Sequence, residues 1–178
     1  DSVTSIGEQA FAYCFNLTSI SVDSYNQYYS SVAGNLYNKD GTTLIQYAIG
    51  KTDTSFTIPD SVTSIGDYAF AACFSLSSVT IPDSVTSIGN AAFYGCTSIK
   101  ELHIEDGESA LSLGYNDSGK ELFNNCPLET LYLGRDLSYD TGTSYGYSPF
   151  YNKTTLKSVT IGNKVTGIGD VMFCDCTG

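Results

Sequence analysis

Residues 58–80 read IPDSVTSIGDYAFAACFSLSSVT, and residues 81–103 continue at once with IPDSVTSIGNAAFYGCTSIKELH. The two segments repeat the same pattern at a period of 23 residues. A pattern that recurs at a fixed period of this length is typical of a structural unit that stacks on copies of itself. The sequence therefore predicts a repeat architecture, in which one coil of chain packs on the next.

An aromatic residue three positions before a cysteine marks the unit through most of the chain. Phe150 is a further marker, with Lys153 at the position that cysteine takes elsewhere. The irregular spacing of these markers predicts a minimal coil of 23 residues with longer coils between the regular ones. The marker pairs are Phe11 and Cys14, Phe70 and Cys73, Phe93 and Cys96, Phe123 and Cys126, and Phe173 and Cys176.

Two apolar patterns accompany each marker. The pattern L-x-x-L-x-L follows the phenylalanine, and its last two apolar positions alternate with a polar residue, which predicts a short β-strand. The pattern V-x-x-I-G precedes the phenylalanine and predicts an extended segment on the opposite side of the coil. We predict six short parallel strands in register, the first of them at Leu17–Val22 and the second, from a partial copy, at Phe56–Ile58. The segments around the phenylalanines are too short for a regular helix and predict one helical or 3₁₀ turn each.

The sequence IPDSVTSIGDYAFAACFSLSSVTIPDSVTSIGNAAFYGC resembles the BspA-like leucine-rich repeats. The resemblance covers nearly the whole chain and is looser over residues 105–155. It implies a leucine-rich-repeat solenoid of α/β type, a right-handed superhelix of mostly short parallel strands and short helical turns. Proteins of that family occur at the surface of host-associated bacteria and some parasitic protists, or are secreted by them. The resemblance therefore implies an extracellular or cell-surface location and adhesion to host molecules. It supplies no catalytic or binding residues to transfer.

We expect residues 1–178 to form a single solenoid, a fragment of a longer repeat protein, with inserts at about 23–55 and 134–149. In the first insert, NLYN and TLIQYA are strand-like, and KDG between them suits a turn. This segment predicts one β-hairpin that projects from the rod. Because terminal coils lack polar caps, a monomer with some end-to-end association is the expected state.

The charge balance limits the classes of partner. The chain carries 8 basic and 19 acidic residues, a formal net charge of -11. Such a field repels nucleic acid backbones and anionic lipid surfaces, so we expect neither as a partner. No run of about 18 apolar residues is present, so no segment is expected to insert in a membrane.

Six cysteines raise the question of their redox state. Five occupy the same position of successive coils, next to the marker phenylalanine, where a small buried residue is needed. We interpret these as buried free thiols. A disulfide between neighbouring coils, such as Cys73 with Cys96, stays open, and Cys174 lies outside the pattern.

No arrangement typical of catalysis is evident, and the chain is not expected to be an enzyme or to hold a cofactor or metal. His103 is the single histidine, and it lies between two inward-facing residues of a strand, so it is predicted to be a solvated surface side chain. NKDGT and YNDSGKE resemble parts of calcium loops, but neither has the full spacing of ligands. Catalytic, cofactor and metal-ligating residues are therefore predicted to be none.

Tyrosines outside the minimal repeat are the candidate binding surface. Tyr combines a large contact area with a hydroxyl group, and it is common in binding loops. The alternative interpretation is that these rings pack the longer coils against the core. The candidates are Tyr28, Tyr29, Tyr37 and Tyr47 in the first insert, and Tyr139, Tyr145, Tyr147 and Tyr151 in the second.

Two functions fit this sequence. The first is a recognition or adhesion module that binds a host extracellular protein or a glycan. The second is a passive stalk that presents other domains at the cell surface. The inserts favour the first, since longer coils add ordering cost to a spacer without extending it.

Overall fold

The chain forms a solenoid, seen in a computed structural model that describes residues 3–114, 122–139 and 148–178. Five strands run parallel along one side in the order β12-β10-β8-β6-β4, and each belongs to a different coil. The solenoid and its parallel strands confirm the predicted fold class. The strands are β4 (Ser55–Thr57), β6 (Ser78–Ile81), β8 (Glu101–Ile104), β10 (Thr130–Arg135) and β12 (Ser158–Lys164).

The register of this sheet follows the repeat. Val79 of β6 pairs with Phe56 of β4 on one side and with Leu102 of β8 on the other. The apolar residues of successive coils therefore form continuous rows that face the core. The predicted strand at Leu17–Val22 does not form. The backbone of residues 17–22 instead forms hydrogen bonds with the first insert. Ile20 N donates to Gly34 O at 2.8 Å, and Val22 N donates to Ser31 Oγ at 3.0 Å.

A second sheet covers the opposite side of the solenoid. The V-x-x-I-G segments of the two regular coils each contribute a two-residue strand, and the longer coils add strands of their own. The sheet has the order β1-β2-β3-β5-β7-β9-β11 and is parallel from β3 onward. Its strands are β1 (Tyr29–Val32), β2 (Asn35–Asn38), β3 (Thr43–Gln46), β5 (Ser64–Ile65), β7 (Ser87–Ile88), β9 (Leu111–Leu113) and β11 (Leu137–Ser138).

The first insert contains the predicted hairpin, since β2 and β3 pair antiparallel around the turn at residues 39–42. Gly41 N donates to Asn38 O at 3.0 Å in that turn. The expectation that the hairpin projects from the rod is wrong. Leu36 and Leu44 are buried, and β3 pairs with β5, so the hairpin continues the second sheet. Apolar residues on both strands make this placement favourable, because they join the common core.

Stacked aromatic rings run along the core between the two sheets. Phe70 and Phe93 lie nearly parallel, with ring centroids 4.8 Å apart, and Phe123 and Phe150 continue the stack at 5.4 and 5.6 Å. The stack ends at Phe173, 5.6 Å beyond Phe150. Tyr47 precedes Phe70 at 5.3 Å and provides the ring of the coil that carries the hairpin. We name each coil by its ring.

In four successive coils, the side chain at the cysteine position donates a hydrogen bond to the preceding coil. Cys96 Sγ donates to Phe70 O at 3.0 Å, and Cys126 Sγ donates to Phe93 O at 3.2 Å. Lys153 takes the same role, with its Nζ 2.5 Å from Phe123 O. A donor is useful there because the carbonyl is buried and needs a partner.

All six cysteines are free thiols. Cys73, Cys96 and Cys126 are buried as predicted, whereas Cys174 and Cys176 are half-buried. The expectation that Cys14 is buried is wrong, because the side chain is exposed.

Candidate functional site

The Tyr47 coil is shorter than its neighbours at one edge of the solenoid. Ten residues, 45–54, lie between Leu44 of β3 and Ser55 of β4, whereas twelve residues, 66–77, lie between their partners Ile65 of β5 and Ser78 of β6. The difference is two residues, and it lies before the aromatic marker, because Tyr47 and Phe70 each stand eight residues before the strand that follows. Gly50 closes this coil so tightly against the first that a Cβ there would lie 2.5 Å from Leu17 N. The shortened coil leaves a gap between the helical turns on either side.

The gap brings together aromatic side chains from coils that are not neighbours. Phe15 of the first coil and Phe74 of the Phe70 coil have ring centroids 5.3 Å apart. Tyr13 packs edge-on against Phe15 at 6.0 Å. Tyr94 of the following coil extends the row. All four side chains are exposed, from 41% for Tyr94 to 80% for Tyr13.

These side chains border a groove of about 340 Å³, which we call the aromatic groove. Its walls are the helical turns at residues 9–15 and 68–74, and Gln46 and Ile49 of the short coil lie between them. The Gln46 amide is buried and donates to Tyr47 O and Ala69 O, at 2.9 and 3.1 Å. The volume is at the lower end of the range for ligand pockets in proteins, and the lining is mainly apolar.

The tyrosines predicted as a binding surface do not form one patch. The prediction that Tyr37 and Tyr47 belong to a binding surface is wrong, because their side chains are only 2% and 1% exposed and belong to the core. For these two the alternative interpretation, that the rings pack against the core, is correct. Their apolar ring faces favour burial among Leu and Phe side chains. Burial raises the pKa of both phenols.

Tyr28 and Tyr29 lie at the start of β1, far along the solenoid from the second group. Tyr28 is exposed, and Tyr29 is half-buried with its hydroxyl 3.5 Å from Thr4 O. The coils of Phe70, Phe93 and Phe123 separate them from the second insert. Tyr145 and Tyr147 lie outside the described residues.

Tyr139 and Tyr151 belong to the Phe150 coil. Tyr139 is half-buried against the core, and that burial raises its pKa. Tyr151 is half-exposed, and a hydrogen bond to Asp175 raises its pKa. Tyr151 borders a polar cleft of about 480 Å³ with Asn124, Asn125 and Asn152.

His103 lies on the outer face of β8, where its ring stacks on Tyr132 with centroids 4.4 Å apart. Tyr132 Oη donates to Asp106 Oδ1 at 3.1 Å. In the described part of the chain, no three His, Cys, Asp or Glu side chains converge as metal ligands. Among residues 3–114, 122–139 and 148–178 there is also no helix with the length and hydrophobicity needed to cross a bilayer.

The groove depends on side chains that sequence reasoning missed. A signal was present, because Tyr47 lies 23 residues before Phe70, which is one full period. Reading Tyr47 as a marker places a further coil within a segment that otherwise looks only like one long insert. Phe15 and Phe74 are exposed because the Tyr47 coil between them is short. No sequence pattern around either residue predicts this exposure.

The sequence matches the model of the BspA type leucine rich repeat region in six copies, over residues 1–38 and 46–178. The unmatched residues 39–45 contain the hairpin turn and the start of β3. No curated protein sequence matches the chain.

Solved structures of leucine-rich repeat proteins have the same fold. A leucine rich cell surface protein from Faecalibacterium prausnitzii is 27% identical over 99% of this chain and 49% of its own, with a TM-score of 0.62. A leucine-rich repeat protein from Eubacterium ventriosum is 25% identical over 98% of this chain and 49% of its own, with a TM-score of 0.58. The chain thus spans about half the length of these two structures.

The pneumococcal vaccine antigen PcpA is 22% identical over 87% of this chain and 40% of its own, with a TM-score of 0.54. At this identity the likeness concerns the fold alone.

Proposed function

Because the chain belongs to the BspA-type leucine-rich repeat family of bacterial surface proteins, we propose that it is a cell-surface or secreted recognition module that binds an extracellular protein of a host. Proteins with this repeat and fold are scaffolds that typically carry no catalytic site, so the function we propose is binding. The similar Faecalibacterium prausnitzii protein is a leucine rich cell surface protein, which supports the location.

The observation that carries the proposal is the aromatic groove. Four aromatic side chains stay exposed on one edge of the solenoid, although the same sequence buries a ring in the core of almost every coil. Burial of such rings in a partner is favourable, and aromatic residues are enriched where proteins bind each other. A protein partner fits better than a glycan, because a sugar needs several converging hydrogen-bond groups and this lining is mainly apolar.

The groove also favours recognition over a passive stalk. A stalk gains nothing from a shortened coil, since the strands at both ends of the shortened segment keep their register. The Phe70 coil and the Phe93 coil follow the minimal pattern and are equally compatible with both functions.

The test is a binding array of extracellular matrix proteins and glycans, probed with the wild-type chain and with Phe74→Ala. We expect at least one matrix protein to bind, and binding to fall about tenfold or more in the variant, since loss of a central interface ring costs roughly 2 kcal/mol. Tyr25→Ala is the matched control, because Tyr25 is also an exposed aromatic residue but lies outside the groove. Absence of any binding would favour the stalk, and glycan binding unaffected by Phe74→Ala would assign recognition to another surface.

A further inference from the structure

We infer that the partner of the aromatic groove presents an apolar side chain flanked by lysine or arginine. The inference rests on the proposed function and specifies the chemistry of the segment that the groove receives.

Two carboxylates lie beside the aromatic groove. A second, smaller recess of about 160 Å³ adjoins it and shares Gln9, Phe11 and Gln46 with it. Glu8 and Asp67 line that recess, one from the helical turn on each side of the short coil. Both residues are exposed. Asp67 Oδ1 accepts a hydrogen bond from Asn90 N at 2.6 Å, which fixes that carboxylate in place.

No basic side chain balances these carboxylates. The residues that line the two recesses include no lysine or arginine. In the part of the chain that the structure describes, the ion pairs lie elsewhere and involve neither Glu8 nor Asp67. Lys51 belongs to the short coil, and its Nζ donates a hydrogen bond to Ala33 O at 2.5 Å. The apolar groove therefore has an acidic end, within a chain whose formal charge is -11.

The aromatic faces favour the same partner. A lysine or arginine over the face of an exposed Tyr or Phe is attracted by the ring quadrupole, by about 0.5–1 kcal/mol at such sites. Tyr13, Phe15, Phe74 and Tyr94 present rings of this kind beside the groove. Opposite charges across an interface also raise the rate of encounter and discriminate against acidic partners.

The size of the groove indicates what enters it. An α-helix with its side chains is about 10–12 Å across, too wide for a groove of this volume. A volume of about 340 Å³ is suited to one or two side chains of an extended segment. The partner segment we infer is therefore extended, with one large apolar residue in the groove and a basic neighbour at Glu8 and Asp67.

Short peptides test this inference, because the protein has no tryptophan. The probe is the capped peptide Gly-Lys-Trp-Lys-Gly, and the matched control is Gly-Glu-Trp-Glu-Gly. Excitation of tryptophan alone then reports on the peptide, whose emission shifts to shorter wavelength on entering the groove. We expect a saturable shift with the lysine peptide below about 1 mM in low salt, and binding at least tenfold weaker for the glutamate peptide.

Variants separate the two contributions. Phe74→Ala removes a wall of the groove and is expected to weaken both peptides. Glu8→Gln and Asp67→Asn keep the shapes of the side chains and are each expected to weaken the lysine peptide two- to fivefold, as for exposed charge pairs. Sodium chloride at 0.5 M should remove most of the difference between the peptides.

The outcomes also separate this inference from the proposed function. Equal binding of the two peptides, abolished by Phe74→Ala, would overturn the basic partner and leave the groove as a binding site. Absence of a saturable shift with either peptide up to 5 mM would overturn both. Binding of the lysine peptide that is unchanged by Phe74→Ala would place it on another acidic surface and would also overturn the inference.

Discussion

At the scale of single residues, the second position after each marker phenylalanine has a backbone conformation that side chains rarely adopt. The angle φ is 62° at Tyr13, 59° at Ala72, 60° at Asn125 and 54° at Asn152. Only the Phe93 coil has a glycine there, Gly95, with φ of 72°. The left-handed conformation costs a residue with a Cβ roughly 1–2 kcal/mol. The other coils accept this cost because the turn directs the chain back to the next strand.

Ala72→Gly is therefore expected to stabilise the protein. The glycine removes the left-handed strain but adds freedom to the unfolded chain, and we expect a net rise of about 0.5–1 kcal/mol in the free energy of unfolding. Urea denaturation measures it. The control is Ala71→Gly at the preceding position, which has no positive φ and should lose about 0.5–1 kcal/mol. Equal destabilisation by both variants would contradict the explanation.

Lys153 gives a second prediction at this scale. The side chain is buried at the cysteine position of its coil, and this burial lowers its pKa. The unfolded state therefore binds the proton more tightly, so the contribution of Lys153 to stability increases as the pH rises toward its ordinary pKa of 10.5. Compared with Lys153→Met, the wild-type protein should gain free energy of unfolding between pH 7 and pH 10. Denaturation of both proteins at each pH measures the difference, and a difference that does not change with pH would contradict the prediction.

The comparison with Lys153→Met is needed because the buried cysteines also make the stability depend on pH. The hydrogen bond to Cys96, together with burial, raises the pKa of Cys126. A raised pKa acts in the opposite direction, because above the ordinary thiol pKa of 9.0 the unfolded state loses the proton that the folded state keeps, and stability falls. Since the variant keeps these cysteines, subtraction removes most of their contribution and leaves that of the lysine.

At the scale of elements, the side chain of Asn38 organises the hairpin turn between β2 and β3. Its Oδ1 accepts from Thr43 N at 2.9 Å, and its Nδ2 donates to Thr42 Oγ1 at 2.9 Å. Asn38→Ala removes both bonds, and we expect a loss of about 1–2 kcal/mol. Asp40→Ala in the same exposed turn is the control and should change stability by less than about 0.5 kcal/mol. Thermal unfolding measures both, and equal effects would show that Asn38 is not the organiser.

The regular strands were predictable from the sequence, whereas the second sheet was not. Strands β6, β8, β10 and β12 lie where the pattern L-x-x-L-x-L places them, because an apolar residue at every second position faces the core only in extended chain. The second sheet includes strands of two residues, such as Ser64–Ile65. A pair of residues carries no periodicity, and these strands exist because parallel neighbours in adjacent coils complete their hydrogen bonds.

The candidate site was less predictable than the fold. The tyrosine composition of the inserts indicated a binding surface, yet Tyr37 and Tyr47 are core residues. Composition reports how many rings an insert contains, and burial depends on which neighbours the tertiary structure brings to each ring. The contact of Phe15 with Phe74 joins residues 59 positions apart. The contact forms because the Tyr47 coil, which lies between the two residues and contains neither of them, is short.

At the scale of the whole molecule, the stacked rings from Tyr47 to Phe173 link all the coils they cross into one core. An interior ring has a ring on each side, whereas Phe173 has one ring neighbour in the stack and is only partly buried. Phe123→Ala should therefore lower the free energy of unfolding by about 3–5 kcal/mol. Phe173→Ala should cost clearly less. Urea denaturation of the two variants measures the difference, and equal losses would show that the stack does not determine stability by position.

The shortened Tyr47 coil forms the aromatic groove without disturbing the strands of that coil. β3 pairs with β5 and β4 pairs with β6, so both strands of the coil keep the register of the regular coils although the segment between them is two residues shorter. One edge of the rod can therefore change in length, coil by coil, while the scaffold is conserved. A change of a few residues in one coil at that edge can therefore open or close a groove without altering the pairing of the strands.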